Sequence, residues 1–227
     1  RLDSVDMGDE KLEEQQQLVD ELTSIAKEQA ARITEKRRKA AKQVEKEMSE
    51  RLVPLGIPKV RFEVNVLPDE LSYDGADKVV FLFSANSSSP MRPVEQVASG
   101  GEIARVMLSL KAMIGNAVEL PTIIFDEIDT GVSGRVAEQM AQIMKEMGSS
   151  DRQVISITHL PQIAALGTTH YKVAKEETAT GTASRMTLLD DEARVREIAQ
   201  MLSGSEVTQA AVDNARELIE KGKNNNV

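Results

Sequence analysis

The stretch TIIFDEIDTGVSG, Thr122 to Gly134, changes character at one point: β-favouring, apolar residues run straight into acids and then into a glycine-flanked turn. A short apolar run without alternation fits a strand buried on both faces, as in a parallel sheet. Its carboxyl end then carries Asp126 and Glu127, at the edge where open α/β sheets bind ligands. Asp126 could hold Mg2+ there, directly or through a water, and Glu127 could polarise a water for attack on a γ-phosphate. A solvated turn, with Asp129 capping the next helix, is the simpler account of the same acids. The two glycines of DTGVSG favour a shaped loop over that account.

Downstream, GRVAEQMAQIMKEMG has helical spacing, and QVISITH reads as a second buried strand. Strand, helix, strand with apolar strands predicts a parallel sheet covered by helices. Adjacent parallel strands bring their ends to one edge, so His159, just past VISIT, would join Asp126 there. A neutral imidazole at that edge could hydrogen-bond a terminal phosphate or the attacking water. His170, the other histidine, is assigned a structural role. Beyond it, HYKVAKEE and ASRMTLLD predict a hairpin, followed by helices over about Glu192–Leu202 and Glu206–Lys221 and a frayed GKNNNV tail.

Upstream, QVASGGEIARVMLSL opens a helix expected over about Glu102–Val118. Ser99 with Glu102 forms a capping box, which alone explains a well-made helix start. Gly100 and Gly101 add bare N–H groups at the positive end of the helix dipole, an arrangement that holds a phosphate oxygen. Before them, KVRFEVNV and KVVFLFSA predict two antiparallel strands, with LPDELSYDGAD as the turn between them. From Asp9 to Leu52 there is neither proline nor glycine, and Leu18, Leu22, Ala26, Ala30, Ile33, Ala40, Val44, Met48 and Leu52 form one helical stripe. Such a helix of about 44 residues would extend ~65 Å, more than a compact domain needs, so it is expected to project or pair. Pro54, Gly56 and Pro58 end it.

The 227 residues suffice for one good core. With 37 acidic and 28 basic residues the net charge is −9, so DNA contact would need a local basic patch. TEKRRKAAK offers one, with Lys36, Arg37, Arg38, Lys39 and Lys42 on a helical stretch, although charge runs on long helices are usually solvated faces. The absence of cysteine excludes disulfides, thiolate metal sites and cysteine nucleophiles, and fits a reducing cytoplasm. No apolar run is long enough to span a membrane. The chain starts at Arg1 without a methionine and reads as an excised fragment.

Taken in order, VASGGE, TIIFDEID and ISITH resemble the signature motif, the Walker B strand with its glutamate and D-loop, and the H-loop of ABC-type ATPases. More narrowly, ASGGEIARVMLSLK, IIFDEIDTGVSGRVA, ITHLPQIAA and REIAQMLSG resemble the RecN family, bacterial SMC-like DNA repair ATPases. The likeness runs from about Leu52 to Leu218; the helix before it resembles the end of the family's coiled-coil arm in position and pattern only. SMC heads and ABC transporter subunits share the skeleton but not DTGVSG or HLPQIAA.

The resemblance implies an α/β fold, the C-terminal half of an ABC/SMC-type head, with 1–52 as the root of the arm and 53–227 as the head lobe. No P-loop of the form G-x-x-x-x-G-K-[ST] is present, and the lone Gly222-Lys223 pair is followed by Asn224. The resemblance places the P-loop on an N-terminal lobe, so this chain alone should bind ATP poorly. It implies that Ser99 and Gly101 meet the γ-phosphate of ATP held by a second molecule, with Gly100, Glu102 and Asp129 also among the nucleotide-binding residues. Asp126, Glu127 and His159 would serve the nucleotide of their own head with Mg2+, and Asp129 would couple the two sites. The implied partners are the N-terminal lobe, a second head bridged by ATP, and DNA, in a bacterial, nucleoid-associated cytoplasmic setting without a membrane. An SMC or transporter head fragment, or a non-catalytic coiled-coil interaction module, are the competing readings.

Overall fold

The computed structural model describes residues 3–97, 99–115, 120–148, 152–178, 181–204 and 206–224. The GKNNNV tail beyond 224 and the end of the second helix at 116–118 fall outside them. The chain divides into two compact units, Arg1–Glu50 with Lys59–Val97 and Arg51–Pro58 with Ala98–Val227.

In the first unit, helix α1 (Asp3–Leu52) starts six residues earlier than the proline- and glycine-free run suggests. Its stripe splits in two. Leu18 and Leu22 are exposed, whereas Ala30 and Met48 are buried, and Ala40 is exposed while its neighbour Ala41 takes the buried place. The buried half meets a sheet of order β1–β2–β3, made of β1 (Arg61–Ser72), β2 (Gly75–Ser84) and the two-residue β3 (Arg92–Pro93). Three side chains fix that contact. Thr34 Oγ1 donates to the Asp77 carboxylate at 2.9 Å, Arg37 Nη1 reaches it at 3.2 Å, and the backbone N–H of Val64 donates to Glu45 at 3.0 Å.

The expected LPDELSYDGAD turn is instead mostly ladder: pairing continues from Arg61↔Ser84 to Ser72↔Gly75, with a register shift between Pro68 and Ser72. Only Tyr73 and Asp74 turn, and Gly75 supplies φ +126°. Pro68, which argued for a turn, is tolerated because β1 is an edge strand that need not donate outward.

The second unit opens with the end of α1, where the N–H groups of Gly56 and Ile57 return to the carbonyls of Val53 and Leu52 at 3.2 Å each. Helix α2 (Gly100–Gly115) follows, then β4 (Thr122–Asp126), α3 (Gly134–Gly148) and β5 (Gln153–Ile157). Strands β4 and β5 pair in parallel from Thr122↔Gln153 to Asp126↔Ile157, as the strand–helix–strand pattern requires. Helix α3 packs its Ala137, Met140, Ala141, Met144 and Met147 inward, and the Lys111 ammonium lies 5.2 Å over the Phe125 ring.

The strands depart from full burial. Ile123 and Phe125 face the core, but Ile124 is 56 % exposed, and Ile155 and Ile157 on the same face are exposed too. Among the described residues the sheet is covered on one side only.

The short helix α4 (Pro161–Leu166), which periodicity did not separate, begins with proline at its first turn. The hairpin β6 (Tyr171–Thr178) and β7 (Gly181–Leu188) is antiparallel throughout. Helices α5 (Asp191–Ser203) and α6 (Gln209–Asn224) close the unit over Ala165, Ile198, Ala199, Ala215 and Leu218. Asp190 caps α5 by accepting from Ala193 N at 2.8 Å.

Candidate functional site

All the residues singled out for chemistry belong to the second unit, and the parallel pairing sets their positions. Asp126 ends β4 opposite Ile157, and His159 lies two residues beyond Ile157. Both loops therefore leave the same end of the sheet. Asp126 and Glu127 are exposed there, and the N–H of Glu127 still reaches Ile157 O at 3.4 Å. Glu127 has φ +49°, the one described non-glycine residue with positive φ. A side chain in that region costs roughly 1–2 kcal/mol, and such strain gathers at functional turns.

Behind Glu127 the loop folds back on itself. Thr130 Oγ1 donates to Glu127 O at 3.0 Å and Val132 N to Asp129 O at 3.3 Å, and Gly131 and Gly134 take φ +75° and +52°. The positive φ of Gly131 and Gly134 suits glycine and gives the loop its path, in keeping with the shaped loop expected from DTGVSG.

Asp129 is buried beneath this edge. Its side chain is 1 % exposed, and Oδ2 accepts from the Thr158 hydroxyl and, at 3.3 Å, from the backbone N–H of His159. Thr158 Oγ1 in turn accepts from Leu160 N at 3.0 Å. His159 Nδ1 lies 3.4 Å from Asp129 Oδ1, close enough for charge attraction but without hydrogen-bond geometry, so this oxygen is buried with no hydrogen-bond partner. The imidazole itself is 71 % exposed. Thr158 went unnoticed in the sequence because a single threonine carries no periodic or motif signal.

The start of α2 meets the same loop. Ser99 and Gly100 are exposed; a Cβ on Gly100 would touch nothing, whereas one on Gly101 would stand 2.8 Å from Thr130 O. Gly101 is bare because the loop after Glu127 presses on it. Ser99 Oγ accepts from Glu102 N at 3.4 Å, the first half of the capping box, and the Ile103 N–H bonds Ser99 O at 3.0 Å. Arg105 braces this helix start, donating to Gly101 O at 3.0 Å and to Leu55 O at 2.9 Å; burial lowers its pKa, opposed by the nearby Glu102 charge. Its role was not visible in the sequence, since the carbonyl it meets is 50 residues away.

His170 is half-buried away from this group. Burial, then the Arg194 charge, lowers its pKa, and its carbonyl accepts from Leu189 N at 3.0 Å. Among the described residues no cluster of three or more ligating side chains could hold a metal by itself. A groove lined by Arg38, Lys42 and Val64–Leu67 belongs to the first unit and contains none of the candidate residues.

No family model matches the chain. Curated relatives do. The DNA repair protein RecN of Vibrio cholerae is 36 % identical over 217 residues, covering 95 % of this chain and 39 % of the relative. That of Bacillus subtilis is 36 % identical over 239 residues, covering 97 % and 41 %. The chain belongs to the RecN family. It spans about two-fifths of the length of the curated relatives it matches. Solved SMC structures share the fold of this RecN-family chain. The Smc head domain with coiled coil and joint from Pyrococcus yayanosii matches at TM-score 0.54 and 22 % identity, over 70 % of this chain and 29 % of that one. A structure from work on ATP-driven dimerization and DNA-stimulated activation of SMC ATPases matches at TM-score 0.50 and 19 % identity, over 74 % of this chain and 96 % of that one. The fold is the C-terminal half of an ABC/SMC-type head with a long N-terminal helix. Among the described residues no helix is long and apolar enough to cross a membrane.

Proposed function

We propose that this chain is the C-terminal lobe of a RecN-type DNA repair ATPase, with 53–227 as the head lobe and 1–52 as the root of its coiled-coil arm. The observation that carries this reading is the parallel pairing of Asp126 with Ile157, which brings Asp126, Glu127 and His159 to one sheet end, with the Ser99–Gly101 helix start against the same loop. Asp126 is a single exposed carboxylate, which suits Mg2+, an ion usually held by one or two carboxylates together with waters and phosphates. The ion would supply charge for the transferring phosphoryl group. Glu127 orients and deprotonates the attacking water, and His159 meets that water or the terminal phosphate. Ser99, Gly100, Gly101 and Glu102 offer a helix start to the γ-phosphate of ATP carried by a second head.

The P-loop must come from elsewhere, and the outward Ile124, Ile155 and Ile157 face supports a covering lobe from the same protein. ATP then bridges two heads, and its hydrolysis releases them, because the ligand binds only the closed state. For DNA, Arg37 is committed to Asp77 and Lys42 to Glu45, so Lys36, Arg38 and Lys39 are the cations of that stretch that would meet phosphates. We place the intact protein in the bacterial cytoplasm with the nucleoid.

ATP turnover of this chain alone, and with the P-loop lobe added, tests the reading. Turnover should appear only in the mixture. Glu127→Gln should keep ATP binding and slow hydrolysis by about 10²- to 10⁴-fold, the usual contribution of a general base. Full turnover by the isolated chain, or an active Glu127→Gln mixture, overturns the assignment.

A further inference from the structure

Asp129 is the one carboxylate of the site that reaches no solvent, and the coupling role that the family resemblance implies for it does not say what its buried carboxylate does within its own head. A buried carboxylate persists only when its lone pairs are matched by donors. Oδ2 has two, the Thr158 hydroxyl and the His159 N–H; Oδ1 has none and lies 3.4 Å from His159 Nδ1. The orphaned oxygen and the ring nitrogen thus lie close together without the geometry of a hydrogen bond. Such bonds are often long before a ligand is bound and tighten in the working complex.

We propose that Asp129 is a positioning residue for His159: its carboxylate clamps the Thr158–Leu160 turn and holds the imidazole with its proton on Nδ1. A carboxylate can only accept, so Nδ1 must be the donor. Nε2, on the exposed side of the ring, is then fixed as an acceptor when the ring is neutral. That suits an O–H of water, not a phosphate oxygen. Contact with phosphate would require a second proton, on Nε2. The same side chain joins the loop after β4 to the loop after β5, so a displaced Thr130 or Gly131 would shift His159 with it.

The catalytic part of this inference rests on the ATPase reading; the tautomer does not. Nitrogen-15 NMR of the 227-residue chain reads the tautomer directly, and with two histidines a His170→Gln variant assigns the signals. At pH 8 the His159 Nδ1 should show the shift of a protonated ring nitrogen and Nε2 that of an unprotonated one, with the preference lost in Asp129→Asn. An Nε2–H form in the wild type, as in a free imidazole side chain, overturns the proposal, and this spectrum decides even if Asp129→Asn does not fold. In a head that includes the P-loop lobe, Asp129→Asn should lower kcat by about 10- to 100-fold, the range seen for groups that orient a functional histidine. KM for ATP should be unchanged, and Asp129→Asn should add no further loss in a His159→Ala background. Independent, multiplying losses overturn it. A wild-type head without turnover defeats the ATPase reading and leaves the NMR result standing.

Discussion

Gly100 and Gly101 stand side by side, yet a methyl group has room on the first and none on the second. Gly101→Ala should destabilise the chain by about 1–3 kcal/mol, the usual cost of overpacking, because the atom it meets is backbone and cannot swing aside. Gly100→Ala should stay within about 0.5 kcal/mol. Paired denaturation midpoints check both, and equal shifts would mean that the approach to Thr130 O is not tight. Glu127 invites the opposite experiment. Asparagine tolerates the left-handed region better than glutamate, so Glu127→Asn should raise stability by about 1 kcal/mol while abolishing turnover in the full head. The sequence displayed these residues through type and spacing: a Gly-Gly pair before a helix, acids at a strand end, a histidine at the next strand end. It did not display which glycine serves the fold and which faces outward, because the answer lies in a carbonyl 29 positions along the chain. Nor did it show Asp129 turning inward, since an acid in a polar loop has the same pattern whether it meets solvent or Thr158.

At the scale of elements, long periodic runs were legible and boundaries set by partners were not. The α1 stripe, the β4–α3–β5 unit and the two closing helices follow from spacing alone. The β1–β2 ladder ran past Pro68 because edge strands forgive a missing N–H, and α4 escaped notice because six residues make too few turns for a period. The stripe on α1 concealed a division: its second half is fixed to β2 through Asp77, whose side chain is 3 % exposed between Thr34 and Arg37. Asp77→Ala should cost about 1–3 kcal/mol, since it removes the buried carboxylate that Arg37 and Thr34 share and leaves them only the carbonyls of Asp74 and Ala30. Thermal unfolding of the variant measures this; an unchanged midpoint would reduce the cluster to surface decoration.

For the molecule as a whole, the uniform apolarity of β4 and β5 was informative because the structure covers only one face. Among the described residues nothing covers Ile124, Ile155 and Ile157, and the proposed P-loop lobe would bury them. Ile155→Lys should barely change the melting temperature of the chain alone, yet abolish its association with the P-loop lobe in a pull-down or by light scattering. Retained association would place the cover elsewhere. The β6–β7 ribbon carries a different liability. Every residue of β7 is exposed, and two strands without a third or a covering layer are marginal in water. Its amides should exchange with deuterium far sooner than those of β4 and β5. The same exposure makes the ribbon the first segment expected to be nicked in limited proteolysis of the chain.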